Sequence, residues 1–423
     1  MSFNLNFNWV DPGPSPDAVM RRTMARFSIE VDGRMLTVVQ DRKSGRYRKQ
    51  IVVPLFAVAN WLVDNWWYLW HEPADTHEQK PGFEERHNLA YAGQGFLLPK
   101  LTIAPSSERI HLVARRWEPD HALISFVEEV DTYVEVEELR QEFQRLIDFV
   151  LRRLKSLDDN EEAVQLSEAW AAINDLDPEE QDFSRAAAMC GIDPFNVEDG
   201  ISEAIVAFWE RIEPSIREEA LAAADARSLP QLGDWLVHAV EDLASVGNEN
   251  HWNEIRDHVP ASRTQEPWKQ GYELAQSVRD MLGLGQDPFQ FMFEGPFAVF
   301  HQERNSPSRR IEGIVAATTP ACVMASRGHS SGTRFLMARA LGEFVSRKEP
   351  RLGIVGSLHN DRQALTRAFA AEFLAPAEVL YRQWSASKVP EDEVDKLSQE
   401  FDVSTRVIWH QIDNYKREMS ASW

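Results

Sequence analysis

Between Ser156 and Pro260 the chain carries 25 Asp and Glu against five Arg and no Lys, a net charge of −20. The whole 423-residue chain nets −22, so everything outside this stretch nets only −2. Apolar residues within it recur at helical spacing, which reads as helix with short breaks. Asp177-Pro178 and Asp193-Pro194 have the form of helix starts, and Gly191 that of a helix end. So acidic a segment keeps a solvated face, or offers that face to a basic partner, or mimics nucleic-acid charge. In every case it disfavours non-specific DNA binding by the middle of the chain. The outline of a helix-turn-helix in SRAAAMCGIDPFNVEDGISEAI is therefore read as plain helical packing.

The acidic stretch separates two regions of mixed pattern, and 423 residues exceed what one ordinary core holds. In the first region ARFSIEV, RMLTVVQ and YRKQIVV read as strands of a β-meander, separated by Asp32-Gly33 and Ser44-Gly45. A helix is expected after Pro54, where LFAVANWLVDNWWYLW places large apolar residues at helical spacing. The Trp66–Trp70 run in it reads as core. A polar loop over 72–95 follows, then strands in GFLLPKLTIA, RIHLVARRW and ALISFVEEV. Glu135–Leu157 has apolar residues at 139, 143, 146, 147, 150, 151 and 154, an amphipathic helix.

The third region opens with PWKQGYELAQSVRDMLGL, an amphipathic helix ending in Gly. Strands are expected in FAVFH, IEGIVAA and CVMAS, with RGHSSG as a loop. The helices RFLMARALGEFV and RQALTRAFAAEFLAPAEVL come next, and DEVDKLSQEFDVSTRVIWHQIDNYK has helix-turn-helix character around its DVS turn. The chain is thus expected to be an α+β multidomain protein. It has an α+β domain over 1–157, an acidic all-α segment over 158–262 and a second α+β domain over 263–423.

The order of elements in this third region, with RFLMARALGEFV, AFAAEFLAP and SQEFDVSTRVIWHQI, resembles the ImmA/IrrE family of bacterial zinc peptidase-like proteins. Members show R-F-x-x-A-H-E-x-G-H, then a glutamate near A-N-x-F-A-A-x-L-L-M-P, then a short F-x-V-S helix pair. The resemblance covers roughly 265–423 and implies a zincin-like domain closed by helix-turn-helix-like helices. On its pattern Arg339 stands where the first zinc-binding histidine would be. Ala340 replaces the general-base glutamate and Glu343 the second histidine. The downstream acidic ligand falls near Gln363 or Leu365. Zinc hydrolysis needs about three protein ligands, an open fourth position and a base for the bound water. Arginine has no lone pair to offer and alanine takes no proton, so these residues form a degenerate former metal site without catalytic or metal-binding residues. Arg339 and Glu343, four apart, are expected to pair across one turn in place of the metal cross-link.

No other chemistry competes strongly. His71-Glu72, His77-Glu78 and His87, with Glu84 and Glu85, lack i/i+4 pairs and are interrupted by Pro73 and Pro81, so they read as a polar loop. His329 and His359 border the degenerate cleft. No G-x-S-x-G elbow, P-loop or dinucleotide fingerprint occurs, and no cofactor is implied. DRKSGRYRK places Arg42, Lys43, Arg46, Arg48 and Lys49 at a hairpin tip. These are candidates for contact with phosphates or an acidic protein surface; the alternative is that they only blunt an exposed strand edge. Two cysteines, no basic-then-apolar N-terminus and no uncharged membrane-length run lead to a cytoplasmic, soluble expectation, with no membrane partner. The resemblance implies a catalytically inactive, regulatory or defence-associated protein that binds another protein. Its setting would be mobile elements, stress responses, toxin-antitoxin loci or phage defence. The competing expectation is an enzyme, a metal-dependent peptidase or other hydrolase, with a rearranged or N-terminal active site.

Overall fold

The computed structural model describes residues 2–11, 17–74, 81–106, 109–157, 160–246, 251–262, 264, 266–285, 287–288, 301–325, 330–358, 360–382 and 390–421. The chain forms two compact units, Met1–Asp199 and Gly200–Trp423. The acidic helical stretch is shared between them, its first two helices falling in the first unit and the others in the second. Both units mix helix and strand.

The first unit begins with β1 (Phe3–Trp9), a strand that sequence patterning did not single out. Phe3 and Leu5 face the core while the asparagines between them face out, the period of a half-buried strand. After α1 (Ala18–Arg22), β2 (Met24–Val31) pairs antiparallel with β1 along its length. The other side of β2 is shared by β3 (Arg34–Met35) and β6 (Ile51–Pro54). Between them, β4 (Val39–Asp41) and β5 (Tyr47–Arg48) leave this sheet. They join β9 (Ile124–Phe126) in a small sheet of order β5-β4-β9. The expected meander is thus divided between two sheets. A third sheet, β10-β8-β7, is built from β7 (Leu101–Ser106), β8 (Arg109–Ala114) and β10 (Val130–Glu135).

The helix after Pro54 forms as α2 (Leu55–Asp64) and α3 (Trp66–His71), with a break at Asn65. Trp66, Tyr68, Leu69 and Trp70 are buried, and the Trp66 ring meets Trp170 edge-on at 4.8 Å. Residues 81–95 are not the expected polar loop: α4 (Phe83–His87) and a 3-10 turn over Leu89–Gly93 occupy them and bury Phe83, His87 and Leu89. The long helix α5 (Val136–Leu154) buries six of its seven expected apolar positions, Leu151 being half-buried. It also covers the free edge of β1. Glu138 and Glu142 accept the Phe3 and Leu5 backbone N–H groups, each at 2.8 Å, and Arg145 donates to the Leu5 carbonyl. Two carboxylates one helical turn apart match the two-residue repeat of outward N–H groups on a strand. The unit closes with α6 (Glu161–Asn174) and α7 (Pro178–Met189). Asp177 caps α7 in a capping box, as its Asp-Pro start predicts, whereas Asp193-Pro194 forms a turn.

In the second unit, α8 (Asp199–Arg211), α9 (Pro214–Ala222), α10 (Leu229–Ala244) and α11 (Trp252–His258) precede α12 (Pro267–Met281). A sheet of order β11-β13-β12-β14 follows, from β11 (His301–Arg304), β12 (Ile311–Val315), β13 (Cys322–Ala325) and β14 (Gly353–Gly356). Only the β11–β13 pair is parallel. The helix α13 (Ser330–Val345) connects β13 to β14; Ser330, Ser331 and Gly332 open it instead of forming a loop. Of the expected FAVFH strand only His301 lies in β11, and 297–300 fall outside the described residues. The last helices are α14 (Asp361–Leu374), α15 (Ala377–Arg382), α16 (Glu391–Glu400) and α17 (Thr405–Ala421). The DVS turn joins α16 to α17 as expected, with Asp402 at φ 48°.

Cys190 and Cys322 are buried and unbridged, and burial pushes the Cys322 thiol up to about 12. Among the described residues no helix is long and apolar enough to cross a membrane. Helices α12 and α14 approach closely over Gly271. A Cβ there would run into the Leu365 carbonyl oxygen and lie 2.8 Å from the Ala368 Cβ. Backbone cannot swing away as a flexible side-chain tip can. Gly271→Ala is therefore expected to destabilise the second unit by about 1–3 kcal/mol, read as a lower urea midpoint by circular dichroism. An unchanged midpoint would mean that the two helices do not touch there.

Candidate functional site

Helix α13 lies against the sheet of the second unit and carries Arg339 and Glu343 into its interior. Arg339 is 3 % exposed and Glu343 is fully buried. Gln363, also fully buried, sits at the start of α14. Its position is set by Asn360, whose side chain caps that helix by accepting the Gln363 N–H at 2.8 Å. Ala340 belongs to the apolar core beside them. All four residues of the expected former metal site are thus brought to one region, though not in the expected pairing.

Arg339 does not pair with Glu343. Its guanidinium forms an ion pair with Glu312 on β12 and donates to the Gly356 carbonyl on β14 at 2.8 Å and to Gln363 Oε1 at 2.6 Å. Glu343 instead accepts from Arg347 Nε at 3.2 Å and lies 3.5 Å from Arg362 Nη1. The physical reason is directional. At four-residue spacing a glutamate N-terminal to its basic partner is the better order, so Glu343–Arg347 is favoured over Arg339–Glu343. Arg339 is left to reach outward from the helix, where β12, β14 and α14 supply acceptors.

Further partners extend this network. Gln363 Oε1 also accepts the Gly356 N–H at 2.8 Å, while its amide nitrogen donates to the Ile354 carbonyl and to Glu219 Oε1, both at 2.7 Å. Glu219, on α9, forms an ion pair with Arg362 and accepts from Asn360 at 3.0 Å. Arg347 donates to the Ala316 carbonyl at 3.1 Å and to that of Arg351. Glu219, Glu312 and Glu343 are balanced by Arg339, Arg347 and Arg362. Gly353 on β14 leaves the room that Arg347 and Glu343 need, since a Cβ there would run into both side chains.

Burial is the dominant electrostatic influence here. It pushes the Glu343 carboxyl up, opposed by Arg347, Arg351 and Arg339, and pulls Arg347 down, opposed by Glu343. The Arg362 and Arg367 guanidiniums are lowered to about 10 by the same loss of water, Arg367 also by Arg339. The crevice beside Ala340, bounded by Glu312, Cys322 and Val355, has no room for a water molecule. Among the described residues no group of three His, Cys, Asp or Glu could hold a metal ion. The arrangement can cross-link α9, β12, α13, β14 and α14.

The other sequence candidates lie elsewhere. Glu72 and His87 are buried together in the first unit, His87 Nε2 lying 3.2 Å from Glu72 and Nδ1 2.7 Å from the Ile103 carbonyl oxygen. Arg86 makes a two-pronged ion pair with Glu72. This ties the end of α3 to α4 and β7. His77, Glu78, His329 and His359 lie outside the described residues. In the hairpin β4–β5 the Asp41 carboxylate holds the turn through the Lys43 and Ser44 N–H groups, and Arg42, Lys43, Arg46, Arg48 and Lys49 are all exposed. Arg42 is 3.8 Å from Glu118 and Arg48 3.6 Å from Asp41. Of the five, Arg48 and Lys49 line a groove beside β6.

Sequence reasoning missed Glu219, Glu312, Arg347 and Arg362. Of these only Arg347 carried a local signal, its i+4 spacing from Glu343. A further polar centre was also missed: Glu372, 2 % exposed on α14, accepts from the Ala377 N–H at 2.9 Å and from Gln276 and Gln411 at 3.1 and 2.9 Å. It fastens α17 to α12 and α14, and borders a crevice of about 260 Å³ with Lys269 and Tyr272. No family model, no curated protein and no solved structure matches the chain.

Two outcomes follow from the network. Arg339→Met should destabilise the second unit by about 3–5 kcal/mol, because Glu312 and Gln363 lose their buried partner. Double-mutant cycles should give a larger coupling for Arg339 with Glu312 (Glu312→Gln) than for Arg339 with Glu343 (Glu343→Gln). Equal couplings would contradict the observed pairing. The second outcome concerns pH. A carboxyl whose folded pKa is raised above 4.5 holds its proton more tightly in the native chain, so its contribution is complete below that value and lost as pH rises through the folded one. Between about pH 4 and 7, the stability difference between wild type and Glu343→Gln should therefore move in favour of the variant. A difference independent of pH would show that Glu343 ionises as readily folded as unfolded.

Proposed function

We propose that this protein is a peptidase-like protein without hydrolytic chemistry, acting as a binding, sensing or regulatory module for another protein. The observation that carries this reading is the fate of the positions where the resemblance puts metal ligands. Arg339, Glu343 and Gln363 are engaged with guanidinium, carboxylate and backbone partners, Ala340 stands where the base would be, and the crevice beside Ala340 has no room for a water molecule. A hydrolase needs a lone-pair donor set, a bound water and a path to it. Here Glu219, Glu312 and Glu343 each face a guanidinium, and Gln363 is bonded to Arg339 and to backbone groups of β14. The regulatory setting, whether mobile elements, stress, toxin-antitoxin or phage defence, comes from the resemblance alone. The strongly acidic surface leaves nucleic acid a poor partner for the chain as a whole.

The test is metal analysis and a peptidase assay on the purified full chain. After equilibration with zinc and desalting, less than a tenth of an equivalent per chain is the expected content, on the order of what surface sites retain. Casein and any co-purifying protein are expected to stay uncut. Stoichiometric zinc, or cleavage abolished by a chelator, would overturn the reading and restore a rearranged active site.

A further inference from the structure

The two edges of the first sheet are treated differently. On the β1 side the outward N–H groups are capped by carboxylates of α5. On the β6 side, β2 is the only strand that pairs with β6 among the described residues. The register fixes which β6 groups face away from β2. Val10 N–H donates to the Met24 carbonyl, so even-numbered β2 residues bond toward β1 and odd-numbered ones toward β6. Leu55 N–H donates to the Thr23 carbonyl, and Val53 and Ile51 stand opposite Ala25 and Phe27. The backbone groups of Ile51 and Val53 therefore turn toward β2, and those of Gln50 and Val52 turn outward. Pro54, which has no N–H, ends this edge as edge strands tolerate.

Beside the edge lies a groove of about 830 Å³. Phe96, Leu97 and Ile124, each half-buried, give it an apolar wall. Arg26, Arg48 and Lys49 also line it, and no acidic residue does. Residues 21–53 carry nine Arg and Lys against three Asp and Glu, in a chain whose net charge is −22. The Arg48 side chain is 63 % exposed, so Asp41 at 3.6 Å neutralises it only weakly. Exposed Val52 adds an apolar side chain to the edge itself.

We propose that this groove takes an extended segment of another protein, alternating acidic and aliphatic residues, added as a strand along β6. The segment's backbone pairs with Gln50 and Val52. Its aliphatic side chains, on one face at period two, lie on Phe96, Leu97 and Ile124, and its carboxylates meet Arg26, Arg48 and Lys49. This goes beyond the reading of the second unit and stands or falls separately, because no residue of the ionic network takes part.

The experiment uses the full chain and a fluorescein-labelled peptide, Glu-Val-Glu-Ile-Asp-Val-Glu-Leu, with blocked ends, titrated by anisotropy at low salt. Saturable binding is expected, weakened about tenfold or more when the acidic residues are replaced by Lys or when Arg48→Glu and Lys49→Glu are combined. Methylating alternate peptide nitrogens, in either phase, should abolish binding in the phase that faces β6, with the protein itself untouched. Val52→Pro should do the same while keeping the wild-type circular dichroism spectrum. No binding up to millimolar peptide would overturn the proposal. So would equal affinity of both methylated peptides and the parent, or equal displacement of the peptide by oligothymidine and by the unlabelled parent, which would make the groove a phosphate site.

Discussion

A guanidinium buried in the middle of a fold dictates its surroundings. Arg339 stays charged at any ordinary pH and brings five N–H donors, so the residues around it must present acceptors. Glu312, the Gly356 carbonyl and Gln363 Oε1 do so. With its oxygen committed, Gln363 can only donate from its nitrogen, which goes to the Ile354 carbonyl and Glu219. Glu219 gathers Arg362, Arg362 approaches Glu343, and Glu343 holds Arg347. Each pairing leaves the next residue with few choices. Relative to a well-packed apolar centre such a network adds little stability, because desolvation offsets most of the Coulomb attraction. Its effect is on register: a slip of any of the five elements would leave a buried charge without a partner.

The same constraint bears on chemistry. Catalysis by a metal or a general base requires groups whose lone pairs are free to act on a substrate and a water that can reach them. In the network around Arg339 the carboxylates of Glu219, Glu312 and Glu343 face guanidiniums, and the crevice beside Ala340 has no room for a water molecule. Binding makes no such demand. It needs exposed complementary surface, the role we propose for the groove beside β6 in the first unit.

The first unit also shows how one sheet manages two edges. The helix α5 runs beside β1 and meets its N–H groups with Glu138 and Glu142, so that edge cannot take another strand. The β6 edge is next to a bend at which the chain leaves the sheet for β4 and β5. That departure opens the groove and turns Arg48 and Lys49 toward it.

Much of this was legible in the sequence because it is local. The burial stripe of α5, the Asp177-Pro178 start of α7, the Trp-rich helix after Pro54 and the DVS turn before α17 all depend on residues within a few positions of one another. So did the placement of Arg339 and Glu343 on one helix. What the sequence did not contain was partner choice. Glu219 and Glu312 lie far from Arg339 along the chain and enter its surroundings only when α9, β12 and α14 converge on α13. Arg339 and Glu343 share a helix face at a spacing that permits pairing, yet each has a better partner supplied from elsewhere. The division of the meander into two sheets is of the same kind, since β4 meets β9 across more than eighty residues. Periodicity and capping determined the elements; long-range acceptors and edges, which exist only once those elements pack, decided what each charged side chain does.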